Sequence, residues 1–115
     1  MHEYSIVQSL LDSVDKEARS RGALAVHRLE VSIGELAGVE KDLLAIAFET
    51  FRPRTLCENA ELRMTMVPAR WECRRCESEV CRGARLQCSA CGRPADLVAG
   101  GEITLDRIEL EVDHV

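Results

Sequence analysis

Apolar residues recur at helical spacing along the first part of the chain. They occupy one stripe: Ile6, Val7, Leu10, Leu11, Val14 and Ala18. A stripe of this width is typical of a surface helix that packs one face on a core. We therefore predict a helix from Tyr4 to Arg21 that ends at Gly22, a residue suited to the position after a helix.

Three later segments alternate apolar and polar residues, which predicts strands with one buried face. The segments are 28–34, 61–67 and 103–112. In the second of them, the pattern places Leu62, Met64 and Met66 toward the core. The alternation of the last segment changes phase near Asp106-Arg107, which predicts a bulge there. Residues 34–38 begin and end with glycine, so we expect a loop with two flexible positions after the first strand.

A second helix is predicted from Lys41 to Phe51, because apolar residues again share one face and Pro53 prevents continuation. The residues predicted to face the core are Leu43, Leu44, Ala47, Phe48 and Phe51.

Composition narrows the function classes. Apolar residues make up 46% of the 115-residue chain, and its net charge is −5. This acidity argues against binding of the whole surface to nucleic acid. The chain has neither a secretory signal pattern nor an apolar run long enough for a bilayer. We expect a cytoplasmic protein with no membrane association, whose six cysteines are thiols or metal ligands rather than disulfides.

Four cysteines form the strongest motif. Cys73, Cys76, Cys88 and Cys91 have the spacing C-x2-C-x11-C-x2-C. Such paired turns can place four sulfurs around one ion, and this predicts a structural zinc site. Rubredoxin-like iron and two redox or disulfide pairs are the alternatives. Cys57 and Cys81 lie outside the motif, and Cys57 is expected to be an ordinary free thiol.

Arginines are frequent around these cysteines: Arg70, Arg74, Arg75, Arg82, Arg85 and Arg93. Zinc ribbons often contact nucleic acid, so a zinc-ribbon nucleic-acid-binding adaptor is the alternative function. The chain has one Trp and no interleaved aromatic residues in this segment, which does not favour that interpretation.

The first residues, Met1-His2-Glu3, offer a second candidate metal site. The amine of Met1 and the backbone and imidazole nitrogens of His2 could chelate one ion. This donor set suits a square-planar ion such as Ni(II) or Cu(II). Glu3 or Glu40 could complete the shell. His27 and His114 are more simply explained as structural or solvated.

Several features together resemble the HypA/HybF family of nickel metallochaperones. They are the "MHE" start, the segment "GELAGVEKDLL" at 34–44, "AFETF" at 47–51, and the two CxxC pairs before a terminal strand. The resemblance extends over essentially the whole chain. Neither CxxC pair has the neighbouring His that many members carry, so the resemblance transfers no nickel ligand from that region.

The resemblance implies an α+β fold in which two helices pack on a three-stranded mixed sheet, with an inserted zinc-ribbon-like module. It also implies a nonenzymatic protein that binds nickel through Met1 and His2, with Glu3 and Glu40 as further candidates, and that carries structural zinc. The implied partners are the GTPase HypB, the [NiFe]-hydrogenase large subunit and, in some relatives, urease maturation factors. We assign residues 1–68 plus 102–115 to the nickel-binding domain and 69–101 to the zinc module.

Overall fold

The computed structural model describes residues 2–80 and 86–113. The helices and strands, in chain order, are α1 (His2–Ser20), β1 (Ala23–Gly34), α2 (Lys41–Phe51), β2 (Glu61–Val67), β3 (Arg70–Cys73), β4 (Ser78–Val80), β5 (Asp96–Ala99) and β6 (Ile103–Val112). This arrangement confirms the predicted α+β class, with two helices, a three-stranded mixed sheet and a cluster of four cysteines.

Helix α1 buries the predicted stripe but begins earlier than predicted. Its fully covered positions include Val7, Leu11 and Val14. The helix starts at His2 rather than Tyr4, because the acidic Glu3 in the first turn suits the positive end of the helix dipole. The helix ends before Gly22, which has φ +68°, the left-handed conformation that glycine adopts readily.

The central strand of the first sheet, β1, is longer than the predicted 28–34, and the sheet order is β2-β1-β6. Its residues Leu29, Val31 and Ile33 are buried as predicted. On the opposite face of β1, the Arg28 guanidinium donates to Glu61 of β2 at 3.3 Å and to Glu109 of β6 at 2.8 Å. Charged side chains therefore connect all three strands on the polar face.

Two predicted core residues are exposed. Helix α2 buries Leu44, Ala47 and Phe48, whereas Leu43 is 42% exposed. Leu43 lies about 100° around the helix from Leu44, outside the covered stripe. Met66 is 47% exposed, and it lies near the end of β2, an edge strand of the sheet. Alternation along β2 predicted the strand but not how much of its face is covered.

The chain divides into two compact units. The first comprises Met1–Ser32, Val39–Thr65 and Thr104–Val115, and the second comprises Ile33–Gly38 and Met66–Ile103. The second unit contains an antiparallel sheet of order β4-β3-β5 that was not predicted. Its strands have only three or four residues, which is too short for alternation to be recognised.

The glycine-bounded segment within the second unit, residues 34–38, forms the predicted loop after β1, and hydrogen bonds hold its first part. The N–H groups of Gly34, Glu35 and Leu36 donate to carbonyls of residues 102, 67 and 100 at 2.8–2.9 Å. A Cβ on Gly34 would lie 2.4 Å from the carbonyl carbon and oxygen of Gly100. Gly34 is therefore required by close backbone approach rather than by flexibility.

Within the described ranges, neither helix combines the length and apolar character that crossing a bilayer would need.

Candidate metal sites

The first cysteine pair lies in the hairpin between β3 and β4. Cys73 ends β3 and pairs with Ser78 at the start of β4. Cys76 lies in the intervening turn, and Glu77 closes the turn with φ 52°. Residues other than glycine and asparagine rarely adopt this backbone conformation. Glu77 is therefore held in it by the surrounding hairpin.

The second pair forms a similar turn without a hairpin of long strands. The Gly92 N–H donates to the Cys88 carbonyl at 2.8 Å, and the Cys88 N–H donates to the Arg93 carbonyl at 2.8 Å. Gly92 has φ +74°, at the same place relative to its cysteine pair as Glu77 in the first turn. The two turns are thus closed in the same way by a left-handed residue after the second cysteine.

These turns bring the four predicted ligand sulfurs together. The sulfurs of Cys73, Cys76, Cys88 and Cys91 all lie within 4.8 Å of one another, and no other group of three or more candidate ligands gathers among the described residues. The Cys73 and Cys91 sulfurs are 3.6 Å apart. A tetrahedron with metal–sulfur bonds of about 2.3 Å has sulfur–sulfur edges of about 3.8 Å, so the donor set and its spacing fit a zinc ion.

The surroundings of the sulfurs favour ionised cysteine at some positions and not at others. The backbone N–H groups of Cys91 and Ala90 are the main cause of a lowered pKa of about 6 for Cys88. The Ser78 hydroxyl, 3.8 Å from the Cys88 sulfur, contributes in the same direction. By contrast, interactions with the other three sulfurs, that of Cys91 above all, raise the pKa of Cys76 to about 12. A bound cation is what would allow all four thiolates to coexist.

Sequence reasoning missed Glu77 and Ser78, the two residues that support the first turn and the Cys88 sulfur. The contact from Ser78 follows from the β3–β4 register and has no motif of its own. The left-handed position of Glu77 could have been inferred by aligning it with Gly92, because each directly follows a CxxC pair.

Two cysteines, Cys57 and Cys81, lie outside the motif. Cys57 is completely buried and forms no disulfide, in agreement with the prediction of an ordinary thiol. Burial is the main cause that raises its pKa to about 11, and the Asp15 carboxylate adds to the shift. Cys81 lies outside the described residues.

The amino-terminal candidate site is organised around Glu3. This side chain is only 6% exposed, and its Oε2 accepts a hydrogen bond from the Glu40 N–H at 3.2 Å. Hydrogen bonds, among them those from the backbone N–H groups of Glu3 and Glu40, lower the pKa of the Glu3 carboxyl to about 2. The ionised carboxylate therefore joins the first turn of α1 to the start of α2.

The other candidate residues of this site are more open. His2 is exposed in the first turn of α1. Glu40 occupies the N-cap position of α2 and is exposed, but its side chain makes no capping hydrogen bond. Met1 lies outside the described residues, as does His114. His27 pairs with Glu111 at 3.0 Å on the surface, which agrees with a structural or solvated role.

Comparisons with known proteins identify the family. Residues 1–110 match the family described as hydrogenase/urease nickel incorporation, metallochaperone, hypA. The hydrogenase maturation factor HypA of Aquifex aeolicus (strain VF5) is 42% identical, with 98% of this chain and 100% of the relative covered.

Two solved structures are also similar at 30% sequence identity. The solution structure of the Ni metallochaperone HypA from Helicobacter pylori has a TM-score of 0.73, with 96% of this chain and 98% of that chain covered. A second solution structure of a HypA protein has a TM-score of 0.80 and covers 98% of both chains. With a family match over nearly the whole length and the same fold, this chain belongs to the HypA family.

Proposed function

We propose that the chain is a nickel metallochaperone that binds Ni(II) at its amino terminus and delivers it during [NiFe]-hydrogenase maturation. The observation that carries the proposal is the family match over residues 1–110, which begins at the first residue of the candidate nickel site. On this proposal nickel is cargo rather than a resident cofactor, and the protein itself performs no catalysis.

The proposed nickel ligands are the Met1 amine and the His2 imidazole and backbone nitrogens. The contact between Glu3 and the Glu40 N–H supports this assignment, because it fixes the helix turn that carries His2. Two helix starts meet near Glu3, and the positive ends of helix dipoles oppose cation binding. The ionised Glu3 carboxylate offsets that charge, so we assign it a positioning role beside its candidacy as a ligand.

The proposed zinc ligands are Cys73, Cys76, Cys88 and Cys91. Their four sulfurs lie within 4.8 Å of one another and would fill a tetrahedral shell with no open position, which supports a structural rather than a catalytic ion. Bound zinc would supply folding energy to the module at 69–101, whose strands are short. Residues 1–68 and 102–115 form the proposed nickel-binding domain.

The same family match supports proposed partners and location. We assign the GTP-dependent step of delivery to the GTPase HypB, and the receiving protein to the hydrogenase large subunit. We also propose a cytoplasmic location, where maturation of the receiving enzyme would take place. Urease maturation factors are further candidate partners, since the family description names urease as well as hydrogenase.

The test is nickel titration of untagged, zinc-loaded protein by calorimetry. His2→Ala should abolish tight nickel binding and leave zinc stoichiometry unchanged. His27→Ala is the matched control, since it also removes one exposed imidazole and should bind nickel as the parent does. Tight binding by the His2→Ala protein would contradict the proposed site.

Two further variants separate ligation from structure. An added amino-terminal residue converts the Met1 amine to an amide and should also abolish tight binding. Glu40→Gln should weaken nickel binding beyond any loss of thermal stability if the carboxylate is a ligand. Unchanged affinity for Glu40→Gln would leave this residue only its place at the start of α2.

A further inference from the structure

A cleft beside the four-cysteine site has a lining that neither metal site explains. It has a volume of about 480 Å³ and is lined by Cys73, Arg74, Arg75, Arg93, Pro94 and Asp96. Arg74 and Arg75 are the two residues inside the first CxxC turn, and Arg93 follows the second turn. The folding of the two turns therefore brings together arginines that are distant in sequence.

Few of the described carboxylates of the protein neutralise the arginines of this cleft. Arg74 contacts the Asp96 carboxylate at 3.6 Å, and both side chains are largely exposed. Within the part of the chain that the structure describes, neither Arg75 nor Arg93 forms an ion pair. Exposed ion pairs are weak, so a ligand could compete for Arg74 at small cost.

The backbone beneath the arginines is held firmly. The Arg93 carbonyl accepts the Cys88 N–H at 2.8 Å, and the neighbouring Pro94 forms a bridge with Gln87. Arg74 and Arg75 are enclosed between two cysteines of the metal cluster. The guanidinium groups thus project from anchored turns, which reduces the entropy lost when they bind a partner.

We propose that this cleft binds a short acidic peptide segment of a partner protein through Arg75 and Arg93, with Arg74 as an auxiliary contact. Guanidinium groups form paired hydrogen bonds with carboxylates. With zinc bound, the ion and its four thiolates would together carry two negative charges, and Asp96 would add a third. These charges would formally balance those of the three arginines. Recognition therefore depends on short-range hydrogen bonds, and we expect modest, salt-sensitive affinity.

Other anions fit less well. A long nucleic acid would meet a chain of net charge −5, and the second unit offers a single aromatic residue, the half-buried Trp71, for base stacking. Inorganic phosphate could engage one or two guanidinium groups but would not extend along the cleft. A peptide with several carboxylates can contact all three arginines while remaining short enough to avoid the acidic surface.

The experiment titrates zinc-loaded protein with hexaglutamate at low ionic strength and follows backbone and Arg side-chain N–H signals by NMR. The parent should show its largest shifts at Arg75 and Arg93, and binding should weaken as salt is added. In the double variant Arg75→Glu, Arg93→Glu, the dissociation constant should rise at least about tenfold, since two charge-assisted contacts are lost. The variant Lys16→Glu, Arg19→Glu carries the same charge change on exposed residues of α1 that do not line the cleft. It should bind hexaglutamate within about threefold of the parent when the two are compared at about 0.1 M salt, because salt screens charges that make no direct contact.

Several results would overturn the inference: no saturable binding by the parent, equal weakening in the α1 control, or tighter binding of phosphate or oligothymidylate than of hexaglutamate. If charge reversal expels zinc, the pair Arg75→Gln, Arg93→Gln takes its place with the same expectation. The inference rests on the proposed function only in using the zinc-loaded protein. Nickel titration of the same arginine variants should match the parent, so failure here is distinguishable from failure of the nickel site.

Discussion

Substitutions at the ends of the two cysteine turns should change zinc affinity in opposite directions. Gly92 and Glu77 both have positive φ, +74° and 52° respectively, and each follows the second cysteine of its pair. The left-handed conformation costs a residue with a Cβ roughly 1–2 kcal/mol. Replacing Gly92 with Ala should introduce this cost, and replacing Glu77 with Gly should remove it.

The expected loss of zinc affinity in Gly92→Ala follows from the surroundings of Gly92. A Cβ on Gly92 meets nothing within 4 Å, so Gly92→Ala adds no steric clash and should cost only about 1 kcal/mol in backbone conformation. Because metal binding and folding of such a module are coupled, and about 1.4 kcal/mol is a tenfold change, zinc affinity should fall roughly fivefold. Glu77→Gly should gain less, since glycine also loses more entropy on folding.

Chelator competition on the purified variants measures these effects. Glu77→Gln is the control for Glu77→Gly, because both remove the carboxylate but only the glycine variant relieves the backbone. We expect Glu77→Gly to hold zinc more tightly than Glu77→Gln. The reasoning is refuted if the order is reversed, or if Gly92→Ala binds zinc as tightly as the parent.

Two other predictions follow from packing and burial. Gly34→Ala should destabilise the fold by about 3 kcal/mol or more in chemical denaturation, because its Cβ would meet the Gly100 backbone at 2.4 Å. The control Gly38→Ala, with φ +74° and open space around it, should cost about 1 kcal/mol. Equal losses of stability in the two variants would contradict the packing argument. The pKa of Cys57 is raised from 9.0 to about 11, mainly by burial, so the unfolded chain releases this proton first and stability should be intact below pH 9 and fall as pH rises toward 11. Between pH 8 and 11 the parent should lose on the order of 2 kcal/mol more than Cys57→Ala, and parallel losses would show that another group is responsible.

The two helices and the longer strands were largely predictable because long amphipathic segments carry a strong periodic signal. The stripe of α1 and the alternation of β1 both correspond to buried residues in the structure. The errors lie where coverage depends on tertiary position. Leu43 and Met66 fit their patterns, but one lies beside the covered stripe of α2 and the other near the end of an edge strand.

The second unit was predictable only through its cysteines. Their spacing predicted that four sulfurs would converge, and the structure brings those sulfurs together. The sheet around them has strands too short for a periodic signal. The role of Gly34 was misassigned because a glycine required by close packing and a glycine that permits flexibility have the same sequence signature. Only the backbone of Gly100 against it distinguishes the two.

The two proposed metal sites differ in a way that suits different tasks. With zinc bound, the shell of four sulfurs, two of them from the buried Cys73 and Cys88, would leave no vacant position through which another ligand could enter and exchange the ion. The proposed nickel site instead uses the exposed His2 at the start of a helix, where an incoming ligand can approach without unfolding anything. A delivery protein must release its cargo, and nitrogen donors at an accessible chain end permit stepwise displacement. Glu3 would then hold the helix turn in place while the ligands around it exchange, because its carboxylate is fixed by the Glu40 N–H rather than by the metal.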